Sequence, residues 1–395
     1  METRRSAATI LPVIAILMMF GFLPHVNAAP SNTAQQQCLA ATGNNAKCTH
    51  IDPGSACVTN GFLAAEVNTP SDLSLVGVYT FAVGGCPINN SVSNTNMILF
   101  PLGTSFNSVK VDDTMNIYTE GDGCFFSDVG FTTICLDGVP ASVTTLTSTE
   151  VAITWGPTAE HLMITQDITV SGTTAPSSAI SMSMSVSNGD VKSHSISTRY
   201  MLDLFVGDYD GTWIRQFSGG TPGAILGYET DFNPPPASFT AYQMGECPGP
   251  VLPIPTCSAP PGGTFGTTGP SLYGSISSPP GVTVPTRFVY GFWGTLDSSV
   301  FAYTANPSHE IGSPVTNVDT SEDSALAYYF GDPIIGPGGS STVSNGAYSN
   351  SLTAIVTTGA PEFPLGMTIV LGVAMLGVIL VRSRVTGSGI SVQPN

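Results

Sequence analysis

Charged residues make up only 9% of this 395-residue chain, so a cluster of carboxylates is informative. The stretch YMLDLFVGDYDGTW, Tyr200 to Trp213, sets Asp203, Asp208 and Asp210 at the end of an apolar run beside Gly207 and Gly211. On extended backbone, side chains two apart point the same way. Asp208 and Asp210 would thus offer two oxygens to a hard cation, with backbone carbonyls completing a calcium shell. The spacing of an EF-hand loop is absent. The other use of such residues is a turn, in which the aspartates accept backbone hydrogen bonds and Gly211 takes a conformation that other residues resist. The turn is the favoured reading, which implies no cofactor, with calcium at Asp208 and Asp210 as its alternative.

Other chemistry has to be assembled from distant residues. The five histidines, His25, His50, His161, His194 and His309, are far apart, and no Cys-x-x-Cys pair suggests zinc. No Gly-x-Ser-x-Gly elbow, His-Glu-x-x-His helix or phosphate loop occurs. If the chain were an enzyme acting on glycans, its acids and bases would come from Asp203, Asp208, Asp210, Glu229, Asp231, His161 and His194. The three tryptophans, Trp155, Trp213 and Trp293, sit in or beside strand-like runs, which favours packing over sugar stacking. Met182 and Met184 could suggest a soft-metal site, but no Cys or His shares their strand, so they are assigned to the core.

The ends of the chain fix its expected location. Residues 1–28 combine Arg4 and Arg5, an apolar run from Ile10 to Leu23 and the small-residue site Val26-Asn27-Ala28, the pattern of a cleaved secretory signal. Phe363 to Val381 is an uncharged run of nineteen residues, close to the length a helix needs to cross a bilayer. Arg382 and Arg384 follow it and mark the cytoplasmic side, leaving 385–395 as a short cytoplasmic tail. Pro361-Glu362-Phe363-Pro364 ahead of this span resembles the PEF-type sorting or anchoring signal of archaeal surface proteins. The resemblance covers about the last 35 residues and departs from the pattern in the tail beyond Arg384. The expected location is the cell surface, single-pass, with the body of the chain outside.

Outside the termini there are six basic residues against 26 acidic ones, a surface that repels nucleic acid and anionic lipid. All eight cysteines, Cys38, Cys48, Cys57, Cys86, Cys124, Cys135, Cys247 and Cys257, belong to the exported part. An even number in an oxidising compartment reads as disulfides. Cys124 with Cys135 and Cys247 with Cys257 are the local pairs, and the other four allow three pairings. Asn89-Asn90-Ser91 is an acceptor sequence for glycosylation in such a compartment.

Between the terminal signals, Val, Ile, Thr, Phe and Tyr alternate with Ser, Thr and Asn. Gly or Pro clusters interrupt about every ten residues, which predicts an all-β fold, a large antiparallel β-sandwich. Residues 29–60 read as a Cys-rich cap, and 61–355 as the sandwich ectodomain followed by the anchor at 361–384. The Pro/Gly-rich segment 232–285 reads as an excursion without central strands. The clearest strand signal is AISMSMSVSNGDVKSHSISTRYMLDLFV. Ile180, Met182, Met184 and Val186 share one face, Asn188-Gly189 signals a hairpin, and the run from Met201 suits a strand buried on both faces. Arg199, Tyr200, Leu202, Asp203, Gly207, Asp208, Asp210 and Gly211 together resemble a β-sandwich module of prokaryotic surface proteins. That module belongs with the supersandwich folds related to galactose mutarotase and some polysaccharide lyases. DSALAYYFGDPIIGPGGSSTV is similar to its final strands, so the resemblance spans roughly residues 150 to 350, although Tyr209 stands where the module usually has Asn.

These observations favour a membrane-anchored surface protein with a non-catalytic structural, adhesive or ligand-binding ectodomain and no catalytic residue. Its partners would be the membrane, other surface proteins or glycans. The alternatives are an exported glycan-active enzyme of lyase, hydrolase or mutarotase type, as the resemblance implies, and an envelope or spike protein of an archaeal virus. Protease added to intact cells is expected to digest the ectodomain and spare the tail after Arg384. Recovery of the whole chain in soluble cytosol would overturn this topology.

Overall fold

The computed structural model describes residues 55–70, 75–89, 96–100, 104–206, 211–245, 272–279, 281–311 and 323–348. Within them are twenty strands, numbered along the chain, and one short α-helix. The fold is all-β, as the alternation predicts. Residues 1–54 and 349–395, which carry the expected signal, anchor and PEF motif, lie outside the described residues, as do Asp208, Asp210, Cys38, Cys48, Cys247 and Cys257. No helix of the described residues is long and apolar enough to cross a membrane.

Two sheets face each other. One is five-stranded and runs β7 (Ala141–Leu146), β8 (Glu150–Trp155), β9 (Leu162–Ser171), β10 (Ala179–Asn188), β20 (Ser340–Tyr348). The other runs β14 (Thr230–Phe232), β17 (Arg287–Phe292), β18 (Ser324–Phe330), β11 (His194–Asp203), β4 (Phe106–Val111), β5 (Asn116–Thr119), β6 (Thr132–Cys135). In the second sheet β19 (Ile334–Ile335) also pairs with the start of β11, and only β5 and β6 run parallel. β1 (Ser55–Thr59), β2 (Leu63–Asn68) and β3 (Tyr79–Val83) form a small sheet, in which Cys57 of β1 is bonded to Cys86 beyond β3. A fourth sheet runs β13 (Thr221–Leu226), β12 (Trp213–Ser218), β15 (Ala241–Gly245), β16 (Leu272–Ser275). A second bridge joins Cys124 to Cys135.

The shared core follows from period-two alternation. Leu162, Ile164, Ile168 and Val170 of β9 and Ile180, Met182, Met184 and Val186 of β10 are buried in one cluster with Tyr200 and Leu202 of β11 and Leu326, Tyr328 and Phe330 of β18. Burying each such side chain contributes about 1.5–3 kcal/mol. Two core tyrosines place their hydroxyls on backbone oxygens, Tyr200 on Val343 O at 2.8 Å and Tyr290 on Thr212 O at 3.0 Å. A buried hydroxyl left without a partner would cost about 1–3 kcal/mol, offsetting much of what the ring contributes.

Two local readings are corrected. Asn188-Gly189 does not close a hairpin, because β10 pairs with β9 and β20 while β11 pairs with β18 and β4. A strand with both faces buried belongs at the centre of the larger sheet, so the chain crosses between sheets at this turn. The crossing is held by Asn188 Nδ2 donating to Lys192 O and Ile335 O. The Pro/Gly-rich segment is not free of central strands either. β15, which contains no proline, lies between β12 and β16. On the far side of Asp208 and Asp210 the chain re-enters the interior: Val206 N donates to Thr212 Oγ1 at 3.3 Å, and Thr212 and Trp213 are buried.

Glu160 clasps the two large sheets. In the loop between β8 and β9, it accepts from Thr158 Oγ1 (3.0 Å), Thr114 Oγ1 (3.0 Å), Asn116 Nδ2 (2.5 Å) and the Tyr118 hydroxyl. Burial alone would raise its carboxyl, but donation by Tyr118, Asn116 and Thr114 outweighs that, and the pKa is lowered. A lowered carboxylate pKa adds stability that is present above the unfolded value and lost as pH falls through the folded one. Glu160→Gln is expected to cost about 1–3 kcal/mol at neutral pH by chemical denaturation, with the deficit shrinking below about pH 4. A deficit independent of pH would contradict the assignment.

Candidate active site

The register of the larger sheet sorts its side chains into two faces. Arg287 pairs with Tyr329, Tyr329 with Arg199, Arg199 with Ser108, Ser108 with Thr119 and Thr119 with Cys135, so these six residues form a row on the face turned away from the shared core. The neighbouring row, Val289, Ala327, Met201 and Phe106, is apolar. Both rows are roofed by the helix α1 (Trp293–Asp297) and residues 298–311, through an apolar cluster that includes Leu296, Tyr303 and Tyr329.

At one end of this face stands a four-residue constellation. Glu229, buried just before β14, accepts from Tyr303 Oη at 2.6 Å, Asn306 N at 2.6 Å and His309 Nδ1 at 2.7 Å. A carboxylate acceptor requires the proton to sit on Nδ1, which leaves Nε2 as the basic nitrogen. The His309 side chain is 34% exposed while that of Glu229 is 3% exposed, so a buried carboxylate orients an imidazole that solvent can reach. Phe292 packs edge-on against the imidazole at 5.4 Å. Burial, reinforced by Glu229, pushes the Tyr303 hydroxyl far up, so Tyr303 remains a donor. Gly291 makes room for it: a Cβ there would lie 2.5 Å from Tyr303 Oη. Arg287 braces the same segment, donating from Nε and Nη2 to both oxygens of Asp231 (3.0 and 2.7 Å) and from Nη2 to Tyr303 O (2.5 Å).

Further along the row, Arg199 is fully buried. Its Nη2 donates to Leu296 O at 2.6 Å, and its guanidinium lies over the rings of Phe106 (5.7 Å) and Tyr329 (5.8 Å). Beside it, Asp297 is 3% exposed, and burial together with the charge of Asp122, partly offset by Arg199, pushes its carboxyl up to about 7. Burial also raises Asp122. A carboxylic acid poised near neutrality can give or take a proton under ordinary conditions.

The candidates named from the sequence separate accordingly. Glu229 and Asp231 lie in the braced segment, and Asp203, which is buried, ends β11 on the same face as Arg199. His194 begins β11 at the opposite end, buried between Asp113 Oδ2 (2.9 Å) and Asp190 Oδ2 (3.1 Å), where it ties turns together. His161 lies exposed in the loop between β8 and β9. Asn89 is exposed. Trp155 and Trp213 are buried and Trp293 is partly so. His309, Tyr303, Asn306 and Asp297 escaped sequence reasoning because no local motif joins them: Glu229 and His309 are 80 residues apart. No group of three or more His, Cys, Asp or Glu side chains among the described residues could hold a metal ion.

No protein-family model matches the chain, and no curated protein sequence matches it. Solved structures do resemble it. An Escherichia coli protein described provisionally as an aldose 1-epimerase covers 75% of this chain and 98% of its own at 10% identity, with a TM-score of 0.37. A galactose mutarotase-like protein from Lactobacillus casei covers 75% of this chain and all of its own at 8% identity, TM-score 0.37. A galactose mutarotase related enzyme from Lactobacillus acidophilus covers 75% and 98% at 6% identity, TM-score 0.34. The expectation of a non-catalytic structural, adhesive or ligand-binding ectodomain is corrected at this point. The similar structures bear the names of an epimerase and of mutarotase-like proteins, not of adhesive modules.

Asp297 gives this face a measurable pH signature. A carboxyl raised in the folded state contributes stability that is full below its unfolded pKa and lost as pH rises through the folded one. Wild-type stability is therefore expected to fall between about pH 4 and about pH 7, by at most about 1.4 kcal/mol per pH unit. Asp297→Asn should flatten this slope in denaturant titrations at several pH values. An unchanged slope would show that the carboxyl is not held neutral.

Proposed function

We propose that the chain is an exported enzyme that carries out acid–base chemistry on a sugar or glycan, with His309 as the proton-transferring group. The observation that carries this reading is the fixing of His309 Nδ1 by buried Glu229 while the imidazole stays open to solvent. In this arrangement Nε2 takes a proton from a substrate hydroxyl and Glu229 stabilises the imidazolium that forms. The same nitrogen then returns the proton to the ring oxygen as the carbonyl forms at the anomeric carbon and the ring C–O bond breaks, and the reverse steps close the ring of an aldose. Tyr303 and the Asn306 amide hold Glu229 in place and do not touch the substrate. Asp297, protonated near neutrality, supplies a second acid on the same face.

The supersandwich-like reading of residues 150 to 350 makes saccharides the substrate class to test, and the names of the similar structures make free aldoses the first compounds. Export by residues 1–28 and a tether at 363–381, with the PEF motif ahead of it and the tail cytoplasmic, belong to the same proposal. The chain would then meet its substrate outside the cell.

Purified ectodomain is to be assayed for aldose mutarotation and for cleavage of extracellular polysaccharides. His309→Gln and Glu229→Gln should each lower kcat by about 100-fold or more while the far-ultraviolet spectrum is kept, and His161→Gln should leave the rate unchanged. Absence of turnover on every saccharide, or a His309→Gln variant as fast as the wild type, would overturn the proposal.

A further inference from the structure

We infer that the outer face of the larger sheet contains a subsite for an anionic oxygen, built by Arg199, Trp293 and Asp297, and that the sugar substrate carries a carboxylate. This rests on the preceding reading of the face as a saccharide site. Arg199 is fully buried, yet its Nε and Nη1 make no well-formed hydrogen bond among the described residues, and neither does the hydroxyl of Tyr329, over whose ring the guanidinium lies. Trp293 Nε1 and Asp297 Oδ1 are likewise buried without partners. All three residues belong to or border α1: Trp293 begins it, Asp297 ends it, and the backbone carbonyl of Leu296 between them receives Arg199 Nη2. A buried guanidinium with two unmade hydrogen bonds is costly, and burying the charge is worthwhile only where another partner completes it.

The donor inventory says what that partner is. Arg199 Nε and Nη1 and Trp293 Nε1 can only donate, and Asp297 in its acid form donates as well. With the acid protonated, Arg199, Trp293 and Asp297 present donors around one guanidinium charge, which suits a carboxylate better than a neutral hydroxyl cluster, and the nearby Asp122 charge opposes this in part. The groups facing Asp297 are Arg199 from β11 and Asp122 from the 121–125 turn. Across Tyr329 lie Asp128 and Arg287, the latter already engaged by Asp231. Ionisation of Asp297 would add a negative charge beside Arg199 and oppose an anionic ligand. Trp293 is only partly buried and packs against the apolar cluster of the roof, so solvent reaches this end of α1.

The test is binding of D-glucuronate and D-galacturonate, against D-glucose and D-galactose, to the full ectodomain, read by tryptophan fluorescence and calorimetry. The uronates are expected to bind at least about tenfold more tightly than their neutral counterparts, as a charge-assisted hydrogen bond implies. Their affinity should weaken as pH rises through about 7. Asp297→Asn should remove that pH dependence, and Trp293→Phe should both weaken uronate binding and abolish the fluorescence change. Arg199→Lys should lose the preference for uronates, and if it does not fold, the Asp297 and Trp293 variants carry the test. Equal affinity for acidic and neutral sugars, with turnover intact, would sink the subsite and leave the proposed function standing. Uronate binding whose pH profile survives Asp297→Asn would sink it too. Failure to bind or turn over any saccharide would remove both.

Discussion

Both faces of β11 are buried, and the architecture is organised around that fact. A strand of ten residues in which nine are buried has to lie inside a sheet and between two covering layers. One layer is the five-stranded sheet, which meets Tyr200 and Leu202 with aliphatic and methionine side chains. The other is α1 with residues 298–311, which meets Met201 and Arg199. Because alternation is strict, the side chains that serve the core and those that face the roof cannot be chosen independently. Each strand carries both, one residue apart, and a slip of one position would exchange them.

That constraint explains why a guanidinium is buried. Arg199 occupies the roofed face in register with Tyr329 and Ser108, where a carbonyl and two aromatic rings receive it without a carboxylate in contact. Cation–ring contacts contribute about 0.5–2 kcal/mol each and do not by themselves offset the loss of water. The same dry layer holds Asp297 in its acid form. The opposite treatment of Glu160, whose carboxylate is surrounded by four donors, shows that burial alone does not decide the charge state of a carboxyl here. Hydrogen-bond donors do. The two residues consequently tilt the pH dependence of stability in opposite directions.

The catalytic reading depends on the roof more than on the sheet. Tyr303, Asn306 and His309 are all supplied by the segment after α1, and Glu229 is supplied by the entry to β14. Arg287 links the two by gripping Asp231 and the Tyr303 carbonyl. Gly291 lets the roof come down close enough for Tyr303 to reach the carboxylate. A dyad assembled this way is fixed at its buried carboxylate and open to solvent at its imidazole, the arrangement on which the proposed proton transfer relies.

The sequence by itself determined the all-β class, the core-facing row of Ile180, Met182, Met184 and Val186, and the double burial of the run from Met201, because period-two alternation is a local property that packing then uses. It also singled out Glu229 and Asp231 as candidate acids, since carboxylates are rare in this chain. Strand partnership was beyond it. Asn188-Gly189 has the chemistry of a hairpin, yet whether two adjacent strands pair or part depends on which sheet needs a central strand. Only the tertiary structure joined Glu229 to His309 and Tyr303, or set Asp297 beside Arg199. The physical reason is that these contacts are made across strands and through the roof, between residues separated by 74 to 97 positions, as for Tyr303 with Glu229 and Leu296 with Arg199. The proton affinity of Asp297 is likewise created by the desolvation that this packing imposes, and no run of neighbouring residues encodes it.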